Sequence, residues 1–155
     1  MEKTNVMRIL SQKRIAYTVH SYADTDAVSG MEVAEVLHQN PLQVFKTLVA
    51  VGTSNRNYVF MIPVCKELNL KKAAHTVGEK KVDMLKAKEL LPLTGYIHGG
   101  CSPIGMKKLF PTVIDSSAEK LQTIIFSGGK IGYQVEMTLA ELEKVIPFDV
   151  SEICD

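Results

Sequence analysis

The chain has 155 residues, 46% hydrophobic and 23% charged, with a net charge of +1; this predicts one globular domain over 1–155 and excludes disordered and fibrous classes. Near neutrality also argues against a protein that holds nucleic acid by bulk electrostatics alone. The start Met-Glu-Lys-Thr-Asn has no charged-then-apolar leader, no run is long enough to span a membrane, and Cys65, Cys101 and Cys154 are too scattered for a disulfide framework or a CxxC knuckle, so a soluble cytoplasmic protein is expected.

In chain order, Thr4 is placed to cap a helix carrying Val6, Ile9, Leu10 and Lys13 at helical spacing, with Lys13 and Arg14 at the end that favours cations. Ala16–Tyr22 alternates as a strand and leads into a polar loop. Ser29-Gly-Met-Glu32 has capping-box spacing and opens a second helix to about Leu37, which Asn40-Pro41 ends. Val44–Val51 reads as a mostly apolar strand, turned by Gly52-Thr-Ser-Asn55 onto a hairpin partner at Tyr58–Val64, the two lying at the centre of a sheet. Asn69 caps a helix that stops at Gly78, and Lys86–Leu91 forms a shorter one ending at Pro92. Strands are expected at Tyr96–His98, Thr112–Asp115, Thr123–Phe126 and Tyr133–Met137, the last two joined by the turn Ser127–Gly132, before Thr138 caps a final helix to Val145. Without regular βαβ alternation, this order predicts an α+β single domain with a mixed, largely antiparallel sheet and flanking helices.

Charge is unevenly spread. Residues 66–108 carry nine Lys and four acidic residues, whereas 115–155 carry three Lys and eight acidic residues. Lys71, Lys72, Lys80, Lys81, Lys86 and Lys88 are either solvated helix faces or a surface that meets a phosphate backbone.

Among polar residues, Lys46 fits its surroundings least, flanked by Val44, Phe45, Leu48, Val49 and Val51. An ammonium drawn into such a strand calls for oxygen atoms from a partner or ligand, which makes Lys46 a candidate substrate-binding cation; the alternative is a strand-end lysine that reaches water along its stem. Gly99-Gly100-Cys101-Ser102-Pro-Ile-Gly105 could turn backbone N–H groups toward an anion or oxyanion, or be a structural turn. It is no P-loop, since Met106-Lys107 follows Gly105. His98 and Cys101 suggest a thiol nucleophile only by proximity in sequence. Ser127-Gly128-Gly129 presents a hydroxyl and amides at a strand end, or a plain hairpin. The histidines have no metal-ligand spacing, and neither a zinc-deaminase pattern nor an RNP-like aromatic segment is present, so no metal or cofactor is implied.

Tyr22, the segment Asn40–Val49, the segment Gly95–Gly105, Pro111–Asp115 and Ser127–Lys130, in this order and spacing, resemble the YbaK/EbsC family of aminoacyl-tRNA editing deacylases. The resemblance covers nearly the whole chain. It implies the fold of the editing domain of bacterial prolyl-tRNA synthetases and hydrolysis of mischarged tRNA, with cysteine on tRNA(Pro), and also tRNA(Cys), as the expected target and prolyl-tRNA synthetase as a partner. Lys46 then matches the essential lysine that grips the terminal adenosine or its phosphate, with Thr47 beside it; Gly99 and Ser127 match pocket residues. Tyr22, Gly100, Ser102 and Gly128 complete the expected substrate-binding set. The resemblance further implies that the substrate's own thiol attacks the ester, a tethered nucleophile with the proximity advantage built in, and relegates Cys101 to packing. This chain departs from the family at Ile131 and Gln134, where Arg and Asp are usual, and at Val28 or Ser29, where a pocket Phe is usual. Rival readings are a deacylase for another small amino acid such as alanine, and a non-catalytic module that binds tRNA 3′ ends or nucleotides.

Overall fold

The computed structural model describes residues 2–155. Helix α1 (Asn5–Gln12) begins where the Thr4 hydroxyl accepts from the Met7 N–H, and it buries Val6, Met7 and Leu10. Strand β1 (Thr18–Ser21) is followed by α2 (Gly30–Val36), which opens on a complete capping box between Ser29 and Glu32. The left-handed His38 then turns the chain back. Strands β2 (Phe45–Gly52) and β3 (Asn57–Pro63) form the expected hairpin, with Lys46 opposite Ile62 and Thr47 opposite Met61. After them come α3 (Leu70–Val77), capped by Asn69 and ended by Gly78, then β4 (Val82–Met84) and α4 (Ala87–Thr94). Strand β5 (Thr112–Asp115), a single 3-10 turn, β6 (Ile124–Ser127), β7 (Tyr133–Met137), α5 (Leu139–Glu143) and β8 (Asp149–Ser151) complete the chain.

The fold is α+β, as predicted, with its strands divided between two sheets of order β1-β7-β6 and β4-β2-β3-β5-β8. The smaller sheet is wholly antiparallel, and the larger is antiparallel from β4 to β3 and parallel from β3 to β8. A lone parallel bridge, Val44 to Ile125, stitches the sheets together beside the start of β2. One core cluster packs α1 with Phe45, Val49, Met61, Ile124, Phe126 and Val135; a second, containing Ala50, Phe60, Ile62 and Ala73, fills the other face of the larger sheet. Each of the larger of these side chains contributes roughly 1.5–3 kcal/mol by leaving water. Among the described residues no helix is long and apolar enough to cross a membrane.

Two expectations need correction, and two strands had not been foreseen. Tyr96–His98 is a loop, not a strand, because the Tyr96 hydroxyl donates to the Ile104 carbonyl and the Gly100 N–H to that of Ile97. Pro92 lies inside α4 instead of ending it: it removes the donor to the Lys88 carbonyl, but the Gly95 N–H still reaches the Leu91 carbonyl and the Thr94 hydroxyl that of Leu90, so the helix runs on to Thr94. Strands β4 and β8 went unpredicted, being three residues long and defined by the neighbour they pair with.

Candidate active site

A cavity of about 740 Å3 opens where β4 and β6 part company along the outer edge of β2. Its floor is Val44–Val49, and one wall is the start of α2 with the preceding Val28 and Ser29. Gly99 and Cys101, the end of β6 with Phe126 and Ser127, and Gln134 of β7 line the inner side, while Met84, Leu85, Ala87 and Leu90 line the β4–α4 side. Gly30 lets α2 close on this space, since a Cβ there would lie 2.3 Å from Val64 Cγ1.

Of the residues the sequence pointed to, the cavity brings together Tyr22, Lys46, Thr47, Gly99 and Ser127. Gly100, Ser102 and Gly128 are not among its lining. Gly100 is buried against the backbone of Lys130 and Ile131, the fully buried Ser102 hydroxyl accepts from the Ile104 N–H, and the Gly128 N–H closes the β6–β7 turn on the Tyr133 carbonyl. These three hold the loops in shape.

Side chains alternate along β2, so Lys46 shares a face with Leu48 and Ala50, and Thr47 shares the other with Phe45 and Val49. Lys46 is half-buried and makes no hydrogen bond or ion pair among the described residues, so its ammonium is available to a ligand. The Thr47 hydroxyl is buried and has no partner among the described residues. Backbone groups alternate as well. Even residues face β3, as the Val64 N–H to Val44 carbonyl bond of 2.8 Å shows, and odd residues face the outer edge, where the Leu85 N–H meets the Val49 carbonyl at 2.9 Å. Pairing with β4 begins only at Ala50, which leaves the Thr47 carbonyl and the Val49 N–H without backbone partners among the described residues, in the cavity floor.

Glu32 and Gln134 are committed elsewhere. Glu32 accepts from the Ser29 and Val28 N–H groups at 3.0 and 3.4 Å, and these bonds, the Ser29 backbone first, hold its carboxyl below the usual range. Gln134, 4% exposed, is locked to Gln39 by two reciprocal amide bonds of 2.8 and 3.2 Å. Burial pushes the Cys101 thiol up to about 12, so it stays protonated and is a poor nucleophile. His98 is exposed at the rim. Among the described residues no group of three or more His, Cys, Asp or Glu could hold a metal ion. The site therefore offers a cation, an apolar slot and free backbone groups, without a paired nucleophile and base.

Sequence reasoning missed Gln39 and the β4–α4 wall. The wall carries no polar signal, and Gln39 matters only through its contact with Gln134, 95 residues away.

A family model described as the aminoacyl-tRNA editing domain matches residues 24–145. A relative from Enterococcus faecalis, described as a candidate Cys-tRNA(Pro)/Cys-tRNA(Cys) deacylase EbsC, is 47% identical over 137 residues, which cover 88% of this chain and 84% of that protein. Two solved structures superpose on nearly the whole chain. Hypothetical protein APE2540 matches with a TM-score of 0.88 at 22% identity, covering 99% of this chain and 100% of that one. A candidate trans-editing enzyme for prolyl-tRNA synthetase matches with a TM-score of 0.83 at 22% identity, covering 99% of each. At these identities the structural likeness speaks for the fold.

Proposed function

The chain belongs to the aminoacyl-tRNA editing domain family, and from that premise we propose that it removes cysteine from mischarged tRNA(Pro), and from tRNA(Cys), acting in trans in the cytoplasm beside prolyl-tRNA synthetase. The observation that carries the reading is the cavity floor, where Lys46, unpaired among the described residues, stands beside Thr47 while the lining Cys101 is buried. The relative with 47% identity is described as a candidate deacylase for these two tRNAs.

Lys46 anchors the anionic 3′ end of the tRNA and Tyr22, Gly99 and Ser127 shape the space for the aminoacyl group. The substrate supplies the nucleophile. Its cysteine sulfur attacks the ester carbonyl carbon, the carbon–sulfur bond forms as the carbon–oxygen bond to the ribose breaks, and the thiol proton passes to the departing ribose oxygen. The product is a four-membered thiolactone that water opens to free cysteine. Because the sulfur is already tethered near the carbonyl, proximity replaces a protein nucleophile, and only a thiol-bearing amino acid gains that advantage.

The test is deacylation of Cys-tRNA(Pro), Ala-tRNA(Pro) and Ser-tRNA(Pro) by the purified protein and by Lys46→Ala. Release of cysteine that falls at least a hundredfold in the variant is expected. No release of any amino acid, or undiminished release by Lys46→Ala, overturns the assignment. Preferential release of alanine transfers it to the rival substrate, for which the neutral, Gln39-paired Gln134 leaves room.

A further inference from the structure

The partnerless backbone groups of the cavity floor have a direction and an order. Thr47 offers a carbonyl acceptor and Val49, two residues on, an N–H donor, both on the outer edge of β2 and both in the cavity lining. A strand edge in this state pairs with whatever presents the complementary donor and acceptor. The groups share the cavity with Met84, Leu85, Ala87 and Leu90, apolar residues from the end of β4 to α4, of which Leu85 is bonded to the Val49 carbonyl. A planar ring extending the sheet there has aliphatic surface to lie against.

We propose that this edge reads the terminal adenine of the tRNA, its exocyclic amine donating to the Thr47 carbonyl and its ring N1 accepting from the Val49 N–H. The inference rests on the functional reading above and specifies which part of the substrate lies where. Position argues for the base over the aminoacyl group. Met84 and Ala87 are exposed at the mouth, whereas Phe126, Cys101 and Gln134 are buried at the inner end. A charged 3′ end that enters acyl group first leaves its nucleoside at the mouth. A base with an acceptor and a donor exchanged, as in hypoxanthine, sets carbonyl against carbonyl and N–H against N–H on the same edge, so discrimination comes from unpaired polar groups and is steep.

The experiment uses chemically aminoacylated cysteinyl minihelices ending in adenosine, in purine riboside, which lacks the amine, or in inosine. The expected order of kcat/KM is adenosine, then purine riboside about tenfold lower, then inosine about a hundredfold lower. Binding of the uncharged minihelices should follow the same order, and an amide-to-ester replacement at Val49, which removes its N–H and weakens only the Leu48 carbonyl that faces β3, should narrow the range. Values within twofold for all three ends, in turnover and in binding, overturn the proposal. Absence of any turnover with the adenosine end strikes the deacylase reading instead, and the order of binding affinities then still decides whether the edge reads the base.

Discussion

Replacing Cys101 with alanine separates cleavage by the substrate's thiol from cleavage by a protein thiolate. Cys101 lines the cavity and is 9% exposed, and burial holds its thiol at about 12 against an ordinary 9.0. At pH 7 such a group is overwhelmingly protonated, so a route through its thiolate is strongly suppressed. Cys101→Ala is therefore expected to keep kcat/KM for Cys-tRNA(Pro) within about twofold while losing about 1 kcal/mol of stability to the small void. The pH effect has a definite sign. The unfolded thiol starts to lose its proton near 9 and the folded one near 12, so the stability its burial permits is intact below 9 and is lost as pH climbs toward 12. Cys154 acts in the same window, since burial, then the Asp115 charge, push it also to about 12. Urea unfolding at pH 7, 9 and 10.5 should show that Cys101→Ala removes part of the alkaline loss. A hundredfold fall in kcat/KM with an unchanged circular dichroism spectrum, or rapid alkylation of Cys101 in the folded protein at pH 7, refutes the reasoning.

Two further substitutions probe the walls and the rim. Gly30→Ala places a methyl group 2.3 Å from Val64 Cγ1; a loss of about 1–3 kcal/mol and a KM raised more than kcat falls are expected, with Val64→Ala restoring part of both, as thermal melts and initial rates will show. Lys86 and Lys88 flank the cavity-lining Ala87 and stand in no ion pair among the described residues, whereas Lys72 and Lys81 are paired with Glu152 and Asp83. Replacing Lys86 and Lys88 with alanine should weaken tRNA binding and lower its salt slope by about 1.5, while Lys72→Ala changes the slope little; filter binding between 50 and 200 mM salt measures both.

What could be read from the sequence follows the range of the interaction responsible. The helix starts at Thr4, Ser29, Asn69 and Thr138 were legible because a cap is satisfied within three residues. The β2–β3 hairpin was legible because its turn is local. The division into two sheets was not, since it depends on β6 meeting β2 at one bridge only, between residues 81 apart. Strands β4 and β8 depend in the same way on the neighbours that accept them. In the site, Lys46 stood out as a cation in an apolar strand, and the structure places it, with Thr47, Gly99 and Ser127, around one cavity. Gly100, Ser102 and Gly128 were drawn in by neighbouring positions in the chain, which does not decide which way a loop residue faces. The vacancy at Thr47 and Val49 is invisible in sequence because it is defined by strands that fail to continue.

Cleavage of the ester by the substrate's own sulfur is put to the test by single-turnover deacylation of Cys-tRNA(Pro) beside S-methylcysteinyl-tRNA(Pro). Methylation leaves the anchor at Lys46, the base and the ester intact but removes the nucleophile. The account predicts rapid release of cysteine, on a limb that rises with pH as the substrate thiol ionises, and a rate for the methylated substrate no faster than its hydrolysis without protein. Equal release from the two substrates would contradict it.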